Sequence, residues 1–285
     1  MNIAVLGASG YLGSHLCRAL SKSNNVYALV RQSSASLARL DMLDINIINL
    51  GQNALEDLFD RINIDVVINT ITCYGRAGES YEKMAEANTR FPYHVFELSN
   101  VSGSKLFLNA GTSLPSSLND YAHSKAKFID LAANYKSPKA KFVNIGLEHF
   151  YGFADNANKF TSYIFEGCVA GKELNLTSGC QRRDFIHIDD VVSGFEMVIG
   201  NFDRLKHGEY VSLGTGVAPT IKEFVCELNQ QCGSRAKLNF GAVDLRSGEV
   251  MESCADLSIM KSMGWSPRYS YIDGIQEVLK HYKAA

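Results

Sequence analysis

Apolar residues along this chain come in short runs separated by amphipathic stretches. The runs at 2–6, 26–30, 45–50, 65–71, 105–109 and 141–145 have the length and apolar density of buried strands. Between them, segments near 14–21, 55–61, 84–99 and 121–134 repeat their apolar residues at helical spacing. Such alternation predicts parallel βαβ units, whose right-handed crossovers build a doubly wound α/β sheet with its ligand crevice at the strands' C-terminal ends. After Gly146 the pattern loosens. An irregular stretch over 151–158, a helix near 160–170 and a strand over 173–177 predict a smaller C-terminal lobe. The runs 185–188 and 209–213 read as strands returning to the sheet, and 221–232 and the C-terminal stretch as mixed elements over the crevice.

The first run leads directly into Gly7-Ala8-Ser9-Gly10-Tyr11-Leu12-Gly13 and then a helix. Strand, glycine turn and helix in that order make a dinucleotide site. Glycines let backbone N–H groups approach a pyrophosphate, and the helix N-terminus stabilises its charge. The spacing Gly-x-x-Gly-x-x-Gly departs from Gly-x-Gly-x-x-Gly, so the strand and helix around it carry the argument. The second strand ends at Arg31-Gln32-Ser33-Ser34 with no acid at its tip. An acid there would bind a free ribose hydroxyl, whereas Arg31, with Ser33 and Ser34, suits a 2′-phosphate and favours NADP(H) over NAD(H). The expected division is residues 1–150 as an NADP-binding Rossmann domain, with returning segments near 184–216, and 151–285 as mainly a substrate-binding lobe.

Composition narrows the partner. With 285 residues, 46% of them hydrophobic and 20% charged, the chain can bury a full core. A net charge of −2 and a pI near 6.4 supply no field for nucleic acid or an anionic membrane, leaving a small molecule. Seven cysteines without a Cys-x-x-Cys pair fit neither a disulfide framework nor a zinc site, and no metal is expected. With no leader-like segment and no membrane-length apolar run, a cytoplasmic protein is expected.

Tyr121-Ala122-His123-Ser124-Lys125 places a phenol and an ammonium one helical turn apart on one face. A lysine within reach stabilises phenolate, draws the phenol toward working pH and can hydrogen-bond a nicotinamide ribose. Just upstream, the run 105–109 ends in Ala110-Gly111-Thr112-Ser113, delivering a hydroxyl to the same sheet edge.

With these parts in place the chain resembles the extended short-chain dehydrogenases/reductases, the NAD(P)-dependent nucleotide-sugar epimerase/dehydratase group, over nearly its whole length. The resemblance implies that Tyr121 donates the proton, Lys125 is its electrostatic partner and a ribose ligand, and Thr112 orients the carbonyl, with Ser113 the alternative hydroxyl. Gly7, Ser9, Gly10, Tyr11, Leu12, Gly13, Arg31, Thr70, Tyr121 and Lys125 would hold the cofactor. Asn88 sits where the family often has a helix-bending asparagine; an ordinary polar face residue is the other reading.

The segment 181–191, Gln-Arg-Arg-Asp-Phe-Ile-His-Ile-Asp-Asp-Val, and Arg246-Ser247-Gly248-Glu249 resemble the segments with which nucleotide-sugar members clamp a diphosphate. That makes Arg183 and Arg246 the candidate clamp, their alternative being ion pairs with Asp184 or Glu249. His149 occupies the place of a substrate-contacting asparagine, a structural histidine being its alternative. Many relatives dimerise through the helices flanking Tyr-x-x-x-Lys, which leaves a homodimer open.

Three departures refine the expectation. Thr112 is followed by Ser113-Leu114 rather than the Asp-Glu that serves dehydration in relatives. Arg31 implies an exchangeable NADPH in place of the retained NAD of epimerases. The third strand ends Asn49-Leu50-Gly51 without the usual Asp, which bears on the adenine contacts. What remains is an NADPH-dependent 4-ketoreductase of a nucleoside-diphosphate 4-keto-6-deoxyhexose, of the kind that makes CDP-linked sugars for bacterial surface polysaccharide. Two other readings stay open, an NAD-dependent nucleotide-sugar epimerase and a non-catalytic NADP(H)-binding protein.

Overall fold

The computed structural model describes residues 1–32 and 37–284. Ser33 and Ser34, expected near the cofactor, lie outside the described residues. The N-terminal half runs β1 (Asn2–Leu6), α1 (Tyr11–Leu20), β2 (Asn25–Arg31), β3 (Asn46–Leu50), α2 (Ala54–Arg61) and β4 (Val66–Asn69). It continues through α3 (Tyr81–Ala85), α4 (Phe91–Ser102), β5 (Leu106–Ala110), α5 (Asp120–Ala133) and β6 (Lys141–Leu147). Then follow β7 (His149–Tyr151), α6 (Phe160–Val169), β8 (Glu173–Leu176), β9 (Arg182–Arg183), β10 (Phe185–His187), α7 (Ile188–Asn201) and β11 (Glu209–Leu213). The chain ends with α8 (Ile221–Gln231), β12 (Lys237–Phe240), β13 (Glu252–Ser253), α9 (Ser258–Ser262) and α10 (Tyr271–Ala284).

Seven strands form one sheet in the order β11-β6-β5-β4-β1-β2-β3, and every pairing from β3 to β6 is parallel. The order reverses between β1 and β4, which is where a doubly wound sheet opens a crevice for a ligand. This is the Rossmann-type fold the alternation predicts. Two compact units are present, one of residues 1–146 and 195–211, the other of 147–194 and 212–285. No helix among the described residues is long and apolar enough to cross a membrane.

Two elements differ from the sequence reading. Phe185–His187 pairs in parallel with β7 in a two-stranded sheet and does not return to the large one; only Glu209–Leu213 does so. All three β10 residues are buried, so their apolar run reports burial, which periodicity cannot assign to a particular sheet. The helix expected over 84–99 starts at Tyr81 and is broken by a π-turn at Glu86–Arg90 before α4 continues to Ser102.

In the first unit the face of the sheet toward α4 and α5 is lined by Val67, Phe107 and Phe142, adjacent in the register of β4, β5 and β6. Phe96 from α4 meets Phe107 and Phe142 edge-on, with ring centroids 5.3 and 5.7 Å apart. Phe128 from α5 does the same at 5.9 and 5.6 Å. Such edge-to-face pairs add to area burial and lock α5 on the sheet. The second unit has its own core, with Tyr151, Phe165, Phe185 and Phe224 among its members.

Phe96 is fully buried at the centre of the first core. Phe96→Ala should therefore lower the unfolding free energy by about 3–5 kcal/mol, the usual cost of an aromatic-sized cavity, as read by urea denaturation. A loss below about 1 kcal/mol would mean the cluster does not hold α4 in place.

Candidate functional site

The glycine turn is built by close approach. Gly7 sits at φ +73°, a conformation glycine adopts freely, and a Cβ there would lie 2.9 Å from Thr70 Oγ1. A Cβ on Gly13 would lie 2.3 Å from the Gly7 carbonyl oxygen, so α1 packs on the turn only because residue 13 has no side chain. Gly10 is the N-cap of α1, with no side-chain cap and no acid in the first turn. The helix therefore presents uncapped N–H groups and the positive end of its dipole beside an exposed glycine. That cradle, which a Cβ would fill, suits a pyrophosphate. Ser9 is half-buried, and Tyr11 and Leu12 are buried in the start of α1. The Thr70 hydroxyl donates to the Leu6 carbonyl at 2.7 Å, fixing the end of β4 against the turn.

Arg31 is exposed at the tip of β2, and Gln32 follows it, so no acid stands there. A second cation that the sequence reading missed lies nearby in structure: the Arg39 guanidinium stands 5.5 Å from the centroid of the Tyr11 ring. Nothing in the spacing of Arg39 announces this, because the segment between β2 and β3 has no period.

Asn119 caps α5, accepting from the Ala122 N–H at 2.9 Å, and so sets the phase that directs Tyr121 and Lys125. The Lys125 side chain is buried, and its ammonium donates to the carbonyls of Ile71 at 3.1 Å and Ala110 at 2.9 Å. Burial pulls its pKa down to about 8. The Thr112 hydroxyl lies near enough to the Tyr121 phenol to favour its ionised form, and it accepts from the Leu114 N–H at 3.2 Å. The structure thus brings Tyr121, Lys125 and Thr112 to one place, at the ends of β4 and β5, with Ser113 half-buried beside them.

The expected lowering of the phenol is corrected. Burial pushes Tyr121 well above the usual phenol range, the neighbouring Tyr74 adds to the rise, and only Thr112 and Arg76 oppose it. The ammonium of Lys125 is turned to the two carbonyls. Tyr74 and Arg76 were also missed: the Tyr74 ring lies 4.9 Å from that of Tyr121, with the Arg76 guanidinium 4.9 Å from the Tyr74 centroid. They sit on an irregular loop after β4 that carries no motif.

Asn88 lies in the π-turn and is buried. Its carboxamide exchanges two 2.8 Å hydrogen bonds with the Cys73 backbone and donates to Ser124 Oγ at 3.0 Å. The π-turn breaks the regular ladder and allows this reach, so Asn88 ties the loop after β4 to α5.

Arg183, His149 and Arg246 all belong to the second unit. Arg183 is nearly buried; it donates to Glu249 Oε1 at 2.7 Å, to the Arg182 carbonyl at 2.8 Å and to the Val250 carbonyl. Its partner is therefore Glu249 and not Asp184. The fully buried Asp184 instead accepts from the N–H groups of Thr215, Gly216 and Ala255 and from the Thr215 hydroxyl, while burial raises its pKa. Arg246 is exposed, in the turn that Glu249 closes with an N–H bond to the Arg246 carbonyl at 3.2 Å. His149 is partly exposed, but its Nδ1 is buried, lacks a hydrogen-bond partner among the described residues and lies 3.9 Å from Glu148 Oε2. Glu148, itself almost fully buried, accepts from Ser253 Oγ at 2.7 Å. Sequence reasoning passed over Glu148 because it sits inside an otherwise apolar run.

A glycine turn of this form at the start of a Rossmann-type sheet, with Tyr-x-x-x-Lys on α5, points to a class, and the comparisons agree with it. Residues 3–214 match the NAD dependent epimerase/dehydratase family, and the chain belongs to that family. The chain is 32% identical to a CDP-abequose synthase of Salmonella typhimurium, over 98% of its own length and 97% of the relative's. A CDP-abequose synthase of Yersinia pseudotuberculosis is 25% identical over 88% of the chain and 91% of the relative. Among solved structures, the UDP-glucose 4-epimerase of Thermotoga maritima superposes with a TM-score of 0.86 at 20% identity, covering 100% of this chain and 99% of the other.

The buried ammonium gives a pH signature. Lys125 loses its proton near pH 8 in the folded protein and near 10.5 when unfolded, so between those values the unfolded chain binds more protons and stability rises with pH. Relative to Lys125→Met, the unmutated protein should gain unfolding free energy from about pH 7 to about pH 10.5, measured by denaturant titration at each pH. Parallel curves for the two proteins would show that burial does not depress this lysine.

Proposed function

We propose that this protein is an NADPH-dependent 4-ketoreductase of a nucleoside-diphosphate 4-keto-6-deoxyhexose, CDP-linked, yielding a 4-hydroxy sugar. The observation that carries the proposal is the Tyr121 phenol beside Thr112 and one helical turn from a buried Lys125, with Ser113-Leu114 where a dehydrating relative would have its acid and base. Similarity to CDP-abequose synthases along nearly the full chain supports the CDP-linked substrate.

When bound, NADPH would supply the hydride for the ketone carbon. The protein's residues do the rest. Tyr121 gives its proton to the ketone oxygen as that atom gains negative charge. The phenol enters each cycle protonated at neutral pH, as this direction requires. Thr112 stabilises the same oxygen by hydrogen bonding. An ammonium has three donors; the two taken by Ile71 and Ala110 aim Lys125, and the third can meet a cofactor ribose hydroxyl. Arg31 receives the 2′-phosphate. Arg183 and Arg246 receive the diphosphate, as planar, permanently charged forks do, and Glu249 holds Arg183 in a fixed rotamer beforehand. His149, partly exposed with its Nδ1 turned toward Glu148, is the candidate side chain to contact the sugar nucleotide.

The test is NADPH oxidation with CDP-, dTDP-, GDP- and UDP-linked 4-keto-6-deoxy sugars, with NMR of the product. Consumption of one NADPH per 4-hydroxy sugar, fastest with the CDP-linked ketone, is the expected result. Tyr121→Phe should bind cofactor and sugar nucleotide almost normally and turn over about 10²–10⁴-fold more slowly. Epimerisation without NADPH consumption, or a Tyr121→Phe variant of full activity, would overturn the reading.

Cofactor choice has a separate check. Arg31→Ala should weaken NADPH binding about ten- to a hundredfold, the loss of one charge-assisted contact, and leave NADH almost unchanged. Equal affinity of the unmutated protein for both cofactors would refute the 2′-phosphate assignment of Arg31.

A further inference from the structure

Three buried carboxamides cross the sheet side by side. Asn69, Asn109 and Asn144 stand opposite one another in the register of β4, β5 and β6, and each is at most 1% exposed. Asn69 Nδ2 donates to Asn109 Oδ1 at 2.8 Å, and Asn109 Nδ2 donates to Asn144 Oδ1 at 2.7 Å. One rung lower on the same sheet face lie Val67, Phe107 and Phe142, so the amides directly follow the apolar core that holds α5.

The ladder has a direction, and its origin is visible. The Ile71 N–H can only donate, and it donates to Asn69 Oδ1 at 3.1 Å. That bond forces Asn69 to turn its NH₂ toward Asn109, which then turns its own toward Asn144. The polarity ends at Asn144 Nδ2, which is buried without a partner among the described residues. Leaving a donor unsatisfied there costs stability that three apolar side chains would not cost. The other end is where the return lies. Ile71, whose N–H the ladder holds, gives its carbonyl to Lys125; Ala110, next to Asn109, gives the other. Gly111 closes the corner: its N–H donates to the carbonyls of Asn109 and Ile145, and a Cβ on it would lie 2.5 Å from Asn144 Oδ1.

We infer that Asn69, Asn109 and Asn144 are positioning residues, a directional amide ladder that fixes the backbone at Ile71 and Ala110 so that their carbonyls aim the Lys125 ammonium at the cofactor. The inference rests on Lys125 as a cofactor contact, the reading given above. It predicts a graded effect, strongest at Asn69, which accepts from the Ile71 N–H, and weakest at Asn144, two strands away.

Calorimetric titration with NADP⁺ tests it through a double-mutant cycle. Asn69→Leu should weaken NADP⁺ binding about tenfold, of the order of one hydrogen bond to a charged group. In a Lys125→Met background the same substitution should change affinity less than about twofold, because the group it aims is gone. Asn144→Ala should lower the melting temperature yet keep NADP⁺ affinity within about threefold of the unmutated protein. Should Asn69→Leu not fold, Asn109→Leu, which cuts the middle rung, carries the same cycle. Equal losses at Asn69 and Asn144, or losses that simply add to that of Lys125→Met, would overturn the inference and leave a structural ladder. An unmutated protein that binds neither NADP⁺ nor NAD⁺ would instead overturn the cofactor reading itself, and the ladder's role with it.

Discussion

The buried ammonium of Lys125, held between the carbonyls of Ile71 and Ala110, is the contact on which the site depends. It joins α5 to the ends of β4 and β5, the strands beside the point where the sheet order reverses. A cation in that position is expensive, as its depressed pKa records, and only convergent backbone dipoles with a packed helix behind them keep it there. Phe128, three residues further along the same helix, supplies the packing through Phe107 and Phe142. Asn88 and Thr89 supply the lateral tie: one reaches Ser124 Oγ and the other the Ser124 carbonyl. The place of the Tyr121 phenol follows from these constraints, since it lies one turn before Lys125 on a helix that cannot rotate without losing both.

How much of this was legible depended on whether the signal was local. The βαβ order, the glycine turn and Tyr-x-x-x-Lys are patterns within one segment, and each element they announce is found within a few residues of its expected place. The amide ladder is a different kind of fact. Asn69, Asn109 and Asn144 mean nothing singly, and only the register of three strands makes them a unit. The clamps in the second unit are similar. Asp184 and Asp190 stood in a segment read for its arginine, yet both are buried acceptors of backbone N–H groups, Asp190 from Arg268 and Tyr269. Phe185–His187 was misplaced for the same reason, since its apolar content reports burial and not the strand it pairs with.

The direction of the Tyr121 shift also separates two views of such a site. A phenol drawn down by a neighbouring cation would serve as a base, taking a proton as an alcohol is oxidised. A phenol pushed up by burial and by Tyr74 keeps its proton, as the proposed reduction would require. The loop carrying Tyr74 and Arg76 adjusts that balance in both senses, because the aromatic neighbour raises the phenol and the guanidinium opposes it.

Arg183 raises a last question of energetics. Its guanidinium is nearly buried, with Glu249 and two backbone carbonyls as partners. Removing one member of such a pair would leave an uncompensated buried charge, so the pair holds itself together. Under the proposed function a diphosphate would therefore share the fork with Glu249 or displace it. A guanidinium has five N–H donors, and the three bonds to these partners do not exhaust them. Sharing avoids stranding Glu249, which is only partly exposed, and keeps the loop from Arg246 to Glu249 anchored to β9 while Arg246 remains exposed. On that proposed reading, the carboxylate that looks like a competitor for the substrate would be what holds the arginine in the geometry that receives it.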